Sequence, residues 1–377
     1  MGSSEVPLWR RIWYATITAI ILQSVWIGGG FGSGREIVEF IAKYGSLAWV
    51  SIVVSAVTLA IALVPSLEVA RVFRAYDYMS WSKQFLWKFW WLFDISFIVL
   101  AWIVIAVVGA AAGYMLSDLA GLPFAASAAL VIVIVGLLHF FGRRVIEAYW
   151  IVGTVGLYIM YFIIWGYTLA VKGGEALAKL SAGLYQGTPA DAAIDGFRYM
   201  LYNLCVVMPA LESVDRYRGK LESTVATVVA IALIYGAATA IWICFMAYYP
   251  EVIGLTVPWY DILKAMGAYW ALAIYVFWIF FTLTETALGM VYAIVRRVDA
   301  HLKLRGRSLG RRGEALLSVV ILAVSIATAQ AGLVALVAAG YGTMAWVFFV
   351  VYFVPLITVG LVRLAKPSWM REFWARA

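Results

Sequence analysis

Histidine and cysteine each occur only twice in this chain of 377 residues, and asparagine only once. His139 and His301 stand apart, with no cysteine or acidic cluster beside them, so no histidine-based metal centre or proton relay is expected. Cys205 and Cys244 both lie in apolar stretches, which fits packing rather than a disulfide framework. No nucleophile–histidine–acid set falls in or near the apolar segments, so neither an enzyme nor a resident cofactor is expected. Charge is scarce as well: 13% of residues are charged against 65% hydrophobic. A soluble fold of this length needs far more polar surface, so the chain reads as an all-α integral membrane protein. Arg10 and Arg11 precede an apolar stretch much longer than a signal-peptide core, and no cleavable leader is expected.

Windows of about 20 apolar residues place ten transmembrane helices near 11–43, 46–73, 85–116, 122–141, 144–171, 192–217, 221–249, 267–299, 313–330 and 332–364. The ninth and tenth are parted only around Ala331 and Gly332. With the N-terminus inside, 22 lysines and arginines fall on the inner side and five on the outer. The inner set includes the "RRVDAHLKLRGRSLGRR" loop and runs on to Arg371 and Arg376; the outer set is Lys43, Lys172, Lys179, Arg198 and Lys264. The positive-inside rule then puts both termini in the cytoplasm of a cell-membrane protein. The net charge of +8 is therefore a topology determinant that also meets anionic lipid headgroups, and no nucleic-acid partner is expected. A monomer or weak homo-oligomer is expected.

Residues 1–377 form one transmembrane domain with two similar halves, 11–171 and 192–364, of five spans each. An odd number of spans turns the second half upside down, giving a 5+5 inverted repeat whose first helices, spans one and six, should both be discontinuous. Span one contains "SVWIGGGFGSGREIVEF", with five glycines between Gly28 and Gly34. Each glycine inside a helix costs about 1 kcal/mol relative to alanine, so an unwound stretch is expected. Its free amides would suit a carboxylate, and its carbonyls Na⁺ or an ammonium. A close-packing glycine face is the alternative: Gly28/Gly32 and Gly30/Gly34 have the required spacing of four. One helix does not need both registers plus Arg35, however. Span six carries Pro209, which removes a backbone donor, and Asn203, whose amide either lines the site or bonds between helices. A composition so poor in asparagine fits a prokaryotic thermophile.

Substrate contact is assigned to Gly28, Gly29, Gly30, Phe31, Gly32, Ser33, Gly34, Tyr202, Asn203, Val207 and Met208. Arg35, Glu36 and Glu39 follow the glycines; Arg35 and Glu39, four apart, form either a self-compensating ion pair or, with Glu36, an outer gate. Asp94 either lines the inner vestibule or pairs with a basic residue. Glu68, Glu147, Glu212 and Asp215 sit near inner helix ends beside arginines, as inner-gate pairs or plain interfacial charges. In "FWIFFTLTETALGMVYAI", Thr282, Glu285 and Thr286 fall at helical spacing. A carboxyl flanked by hydroxyls in mid-span is a functional candidate by default. It suits Na⁺, with carbonyls of Trp26, Ile27 or Gly28, and equally a coupling proton.

The "GGGFGSGREIVEFIAKYG" stretch resembles the "GAGFASGxEIxxFFxxYG" signature of YkvI-type membrane proteins of the amino acid–polyamine–organocation superfamily. The likeness covers about 18 residues, and the ten-span layout extends it over most of the chain. It implies a LeuT fold, with substrate at Gly28–Gly34 and at Asn203–Pro209. It also implies Na⁺ between first-helix carbonyls and hydroxyls of helix eight, and a helical hairpin in "YYPEVIGLTVPWYDILKAMG" that closes over the site. The expected function is a secondary active transporter, symporter or exchanger, of a small zwitterion such as an amino acid or related amine. A divalent-metal carrier of the Nramp kind is the runner-up, since "VVMPA" and "IAKYG" echo that family; Met208 alone is a poor site for a hard ion. A non-transporting sensor would need a soluble output domain that no loop is long enough to hold.

Overall fold

A computed structural model describes residues 6–369; Arg371 and Arg376 lie outside the described residues. The described chain is helical throughout, without a strand. Helix α1 spans Leu8–Trp26, α2 Gly29–Gly32 and α3 Arg35–Phe40. Then follow α4 Ala48–Phe73, α5 Tyr78–Leu86, α6 Trp90–Ala120, α7 Phe124–Phe141 and α8 Arg143–Ser181. The second half runs α9 Pro189–Asn203, α10 Val207–Ala210, α11 Lys220–Met246, α12 Pro258–Ala265, α13 Tyr269–Lys303 and α14 Gly310–Ala327. It ends in α15, Leu333–Ala365.

Seven helical stretches among the described residues are long and apolar enough to cross a membrane: Ala42–Phe73, Tyr78–Leu119, Phe124–Phe141, Arg143–Ser181, Lys220–Met246, Tyr269–Lys303 and Leu333–Ala365. The other expected spans fall at α1–α3, at α9–α10 and at α14. Arginines occupy the first turns of α1 and α14, and α9 is short. Trp49, Val53, Val57 and Ile61 stand half exposed at every fourth residue of α4, an apolar stripe that belongs against acyl chains. The expected boundaries hold to within a few residues except on α8, which continues to Ser181, and before α6. There α5 forms a separate amphipathic helix, N-capped by the Asp77 carboxylate on the amides of Met79 and Ser80 at 3.0 and 3.1 Å.

The first interruption is real. Ile27 (φ −78°, ψ 72°) and Gly28 (φ −115°, ψ −141°) leave helical geometry. The chain bends again at Gly34, whose φ of +86° only glycine adopts readily. The second is not an unwinding, which corrects the expectation of a discontinuous helix six. From Leu204 to Arg216 the backbone tightens into 3₁₀ turns on either side of α10 but stays right-handed helical. Pro209 sits within the first turn of α10, and the right-handed helical course continues through it. Asn203 donates its amide back to the Tyr199 carbonyl at 2.9 Å, a local bond rather than an interhelical one. Helix α15 is broken up differently, by π-helical turns at Leu336–Tyr341, Phe349–Phe353 and Leu356–Gly360.

Candidate functional site

Helix α1 runs through the middle of the molecule, packed on α8, α11 and α13, and α2 continues it against α6 and α13. At the break, Gly28 and Gly29 border a buried cavity that is closed by Glu36 of α3, Tyr202 and Asn203 of α9, and Thr286 of α13. Trp26, Cys205, Met290 and Tyr341 complete much of the remaining wall. Its volume is about 10 Å³, the room one water molecule needs. Aromatic rings fill the rest. Tyr202 stacks on Tyr341 with centroids 4.5 Å apart, and Trp26 donates its indole N–H to the Tyr199 hydroxyl at 2.8 Å.

The other residues assigned to substrate lie elsewhere. Val207 and Met208 are buried but do not border the cavity. The Gly32 carbonyl accepts from Tyr275 at 3.0 Å and Tyr161 at 3.4 Å. Ser33 folds its hydroxyl onto the Gly30 carbonyl at 2.9 Å, and Phe31 is fully enclosed. Gly34 abuts the Phe245 ring, where no side chain would fit.

Behind the cavity, α13 presents hydroxyls and a carboxyl to α1 and α8. Thr286 donates to the Val25 carbonyl at 3.0 Å and reaches that of Ser24 at 3.4 Å. Those carbonyls lie just before the expected set of Trp26, Ile27 and Gly28. Gly28 is obligatory there: a Cβ would fall 2.6 Å from Thr286 Cβ. Ser24 in turn shares a hydrogen bond of 2.7 Å with Thr154 of α8. Glu285 and Thr282 are fully buried, and neither carboxylate oxygen nor the Thr282 hydroxyl has a hydrogen-bond partner. Room for the carboxyl comes from Gly153 of α8, where a Cβ would overlap it. A buried carboxylate with both oxygens unpaired is costly, and this one directly precedes Thr286, which reaches the α1 carbonyls at the break. The arrangement can hold a monovalent cation or a proton.

Outside the cavity, the guanidinium of Arg35 donates to the carbonyls of Ile253 and Leu255 at 3.0 and 2.9 Å and to Glu39 at 2.9 Å. The Trp259 amide, in α12, donates to the Ser33 carbonyl at 3.2 Å. Arg35, held by Glu39, thus ties the second half of the first span to the segment leading into α12. Glu36 takes no part, which corrects its assignment to the gate: adjacent residues on a helix point about 100° apart, and Glu36 turns inward.

On the opposite side, Arg143 meets Glu147 at 2.9 Å, Glu212 at 3.2 Å and Asp215 at 3.3 Å, and Arg216 meets Glu147 at 2.7 Å. Glu68 accepts from Arg71 at 2.5 Å and from Ser223 at 2.6 Å. Asp94 pairs with Arg297 at 3.0 Å, one of its two expected roles.

Sequence reasoning missed Cys205, Tyr341 and Gly153, and gave Trp26 a carbonyl role but not its place in the cavity wall. None carries a motif; only the π turn ending at Tyr341 marks a position out of helical register, and that is visible in the backbone alone.

No protein-family model matches the chain, and no curated protein does. Among solved structures it is similar to MhsT in complex with L-phenylalanine, at 14% identity and a TM-score of 0.65 over 95% of this chain and 90% of that one. It is similar to a Na⁺-coupled sialic acid symporter in a substrate-bound outward-open state, at 11% identity and 0.63 over 94% and 80%. A manganese transporter of Eremococcus coleocola matches at 12% identity and 0.56 over 100% and 97%. At such identities the likeness establishes the fold, a LeuT-like one, and the three proteins that share it are transporters.

Proposed function

We propose that this protein is an ion-coupled secondary transporter of a small amine-bearing solute, built as two inverted five-span halves, 11–171 and 192–364, and related to the YkvI-type proteins that its first span resembles. The observation that carries the reading is the break at Ile27–Gly28. It borders a buried cavity on one side, and on the other it brings the Ser24 and Val25 carbonyls to Thr286, beside the unpartnered Glu285 carboxyl. Interrupted helices at mid-membrane are where secondary transporters place cargo and coupling ions. Ion pairs on one side and the Arg35 contacts on the other are the closures that alternating access requires. Both termini face the cytoplasm in this reading, with the basic loop Arg296–Arg312 against anionic headgroups.

A divalent-metal carrier would draw on Glu36 and Asn203 at the cavity. Met208, its expected soft donor, does not border it, and no group of three or more metal-binding side chains occurs among the described residues. The amine reading therefore stands first.

The test is reconstitution into liposomes with currents recorded on rapid addition of amino acids, amines or Mn²⁺, under imposed Na⁺ or proton gradients. Currents evoked by amines or amino acids and scaled by one gradient are the expected result. Responses to Mn²⁺ alone, or to none of the solutes under either gradient, refute it.

A further inference from the structure

Among the described residues the buried carboxyl groups Glu68, Asp195, Glu222 and Asp299 each have a basic partner, whereas Glu285 and Glu36 have none within ion-pair distance. Asp94, which is half-buried, has Arg297, and Glu285 faces Gly153 of α8. Glu36 is different, because it borders the cavity itself. It is 4% exposed, and its Oε2 accepts no hydrogen bond. Gly30 makes the position possible, since any Cβ there would overlap Glu36 Oε1. Gly30 is thus a socket for this side chain rather than a contact for cargo.

What surrounds Glu36 contains no cation. Its titratable neighbours are Tyr199, Tyr202, Cys205 and Tyr341. The Tyr202 hydroxyl lies beside the carboxyl but forms no well-directed hydrogen bond. The basic residue next in sequence, Arg35, is engaged with Ile253, Leu255 and Glu39. The rest of this wall is aromatic: Tyr202 lies against Tyr341 at an interplanar angle of 23° and meets Tyr199 edge-on at 5.8 Å. A carboxylate that lacks a counter-charge and borders a cavity beside tyrosine hydroxyls is the recognition chemistry of an ammonium group.

We propose that Glu36 is the ammonium-binding residue of the cavity, so that cargo must bear a protonated amine and a cargo anionic overall is rejected. The proposal rests on the transporter reading only for the word cargo; the site stands on its own geometry. Tyr341, which ends the π turn Leu336–Tyr341, lines the cavity, and at about 10 Å³ its walls must part before anything larger than water enters.

The experiment measures thermal shift and tryptophan fluorescence of the full-length protein in detergent. Probes are ethylamine, L-alanine and N-acetyl-L-alanine, and 2-phenylethylamine, L-phenylalanine and N-acetyl-L-phenylalanine, with MnCl₂ as a separate arm. Binding of the amine and amino acid of at least one size is expected, with the acetylated partner weaker by roughly 30-fold or more, the order for an unpaired buried charge. Glu36→Gln should weaken the amines by a similar factor and Glu36→Asp by less, while both keep their stabilisation by Na⁺ or by protons. That retained ion response separates lost recognition from misfolding.

Equal binding of acetylated and free amines, unchanged amine binding in Glu36→Gln, binding of MnCl₂ alone, or binding of none of the probes would each overturn the proposal. Amine binding that depends on Glu36, without gradient-driven uptake in liposomes, would instead overturn the transporter reading and leave this site standing.

Discussion

Replacing Gly153 by alanine tests whether the space opposite Glu285 is occupied as described. The added methyl would lie 2.6 Å from Glu285 Oε2 and nearer still to Oε1 and the carboxyl carbon. Ordinary contact begins near 3.5 Å, so the carboxyl must withdraw by about 1 Å or leave its rotamer. Overpacking of this kind costs about 1–3 kcal/mol, a factor of about 5–150 in an equilibrium constant. The assay is a double-mutant cycle of Gly153→Ala, Glu285→Ala and the pair, followed by unfolding in mixed detergent micelles. With the carboxyl gone the methyl fits, so the pair should be more stable than the sum of the single losses by about 1–3 kcal/mol. The same displacement should shift the concentration of Na⁺ or protons needed to stabilise the protein. Losses that add to within about 0.5 kcal/mol, together with an unmoved ion response, would refute the reasoning.

Glu285→Gln removes the charge but keeps the shape; gradient-driven uptake should vanish while cargo exchange or binding persists, and unchanged concentrative uptake would dismiss Glu285 from coupling. Pro209→Ala should change stability by less than about 1 kcal/mol, because no unwinding depends on the ring; a loss of several kcal/mol in the same unfolding assay would contradict the continuous helix. Arg143→Ala removes one member of an inner ring whose side chains are about a third exposed, so its stability cost should stay near 1 kcal/mol or below. Alkylation of Cys205, measured in a Cys244→Ala background, should nevertheless become several-fold faster as the inner side opens; an unchanged rate would mean that the ring does not hold the closure.

Seven of the expected spans were legible because hydropathy over about 20 residues is a strong signal in so apolar a chain, and the chain does leave helical geometry at Gly332. The break after Trp26 was legible too, since no stable helix collects five glycines without reason. Helix six was misread because a proline removes one backbone donor without forcing the residues around it out of right-handed helical geometry, and 3₁₀ turns on either side accommodate it here. Glu36 was misplaced because the positive φ of Gly34 resets the phase of α3, so counting from Arg35 could not say which residue turns inward. Gly153 was invisible for a plainer reason. Its role comes from the span that packs opposite, and a sequence without its neighbours in space does not name them.

The outer tie made by Arg35 ends on two main-chain oxygens, those of Ile253 and Leu255. Every amino acid supplies such an oxygen. Substitutions through Glu251–Leu255 that preserve the course of the backbone should therefore leave the latch intact, and that segment is free to drift in evolution. One strategically placed arginine, in contrast, bears the whole constraint.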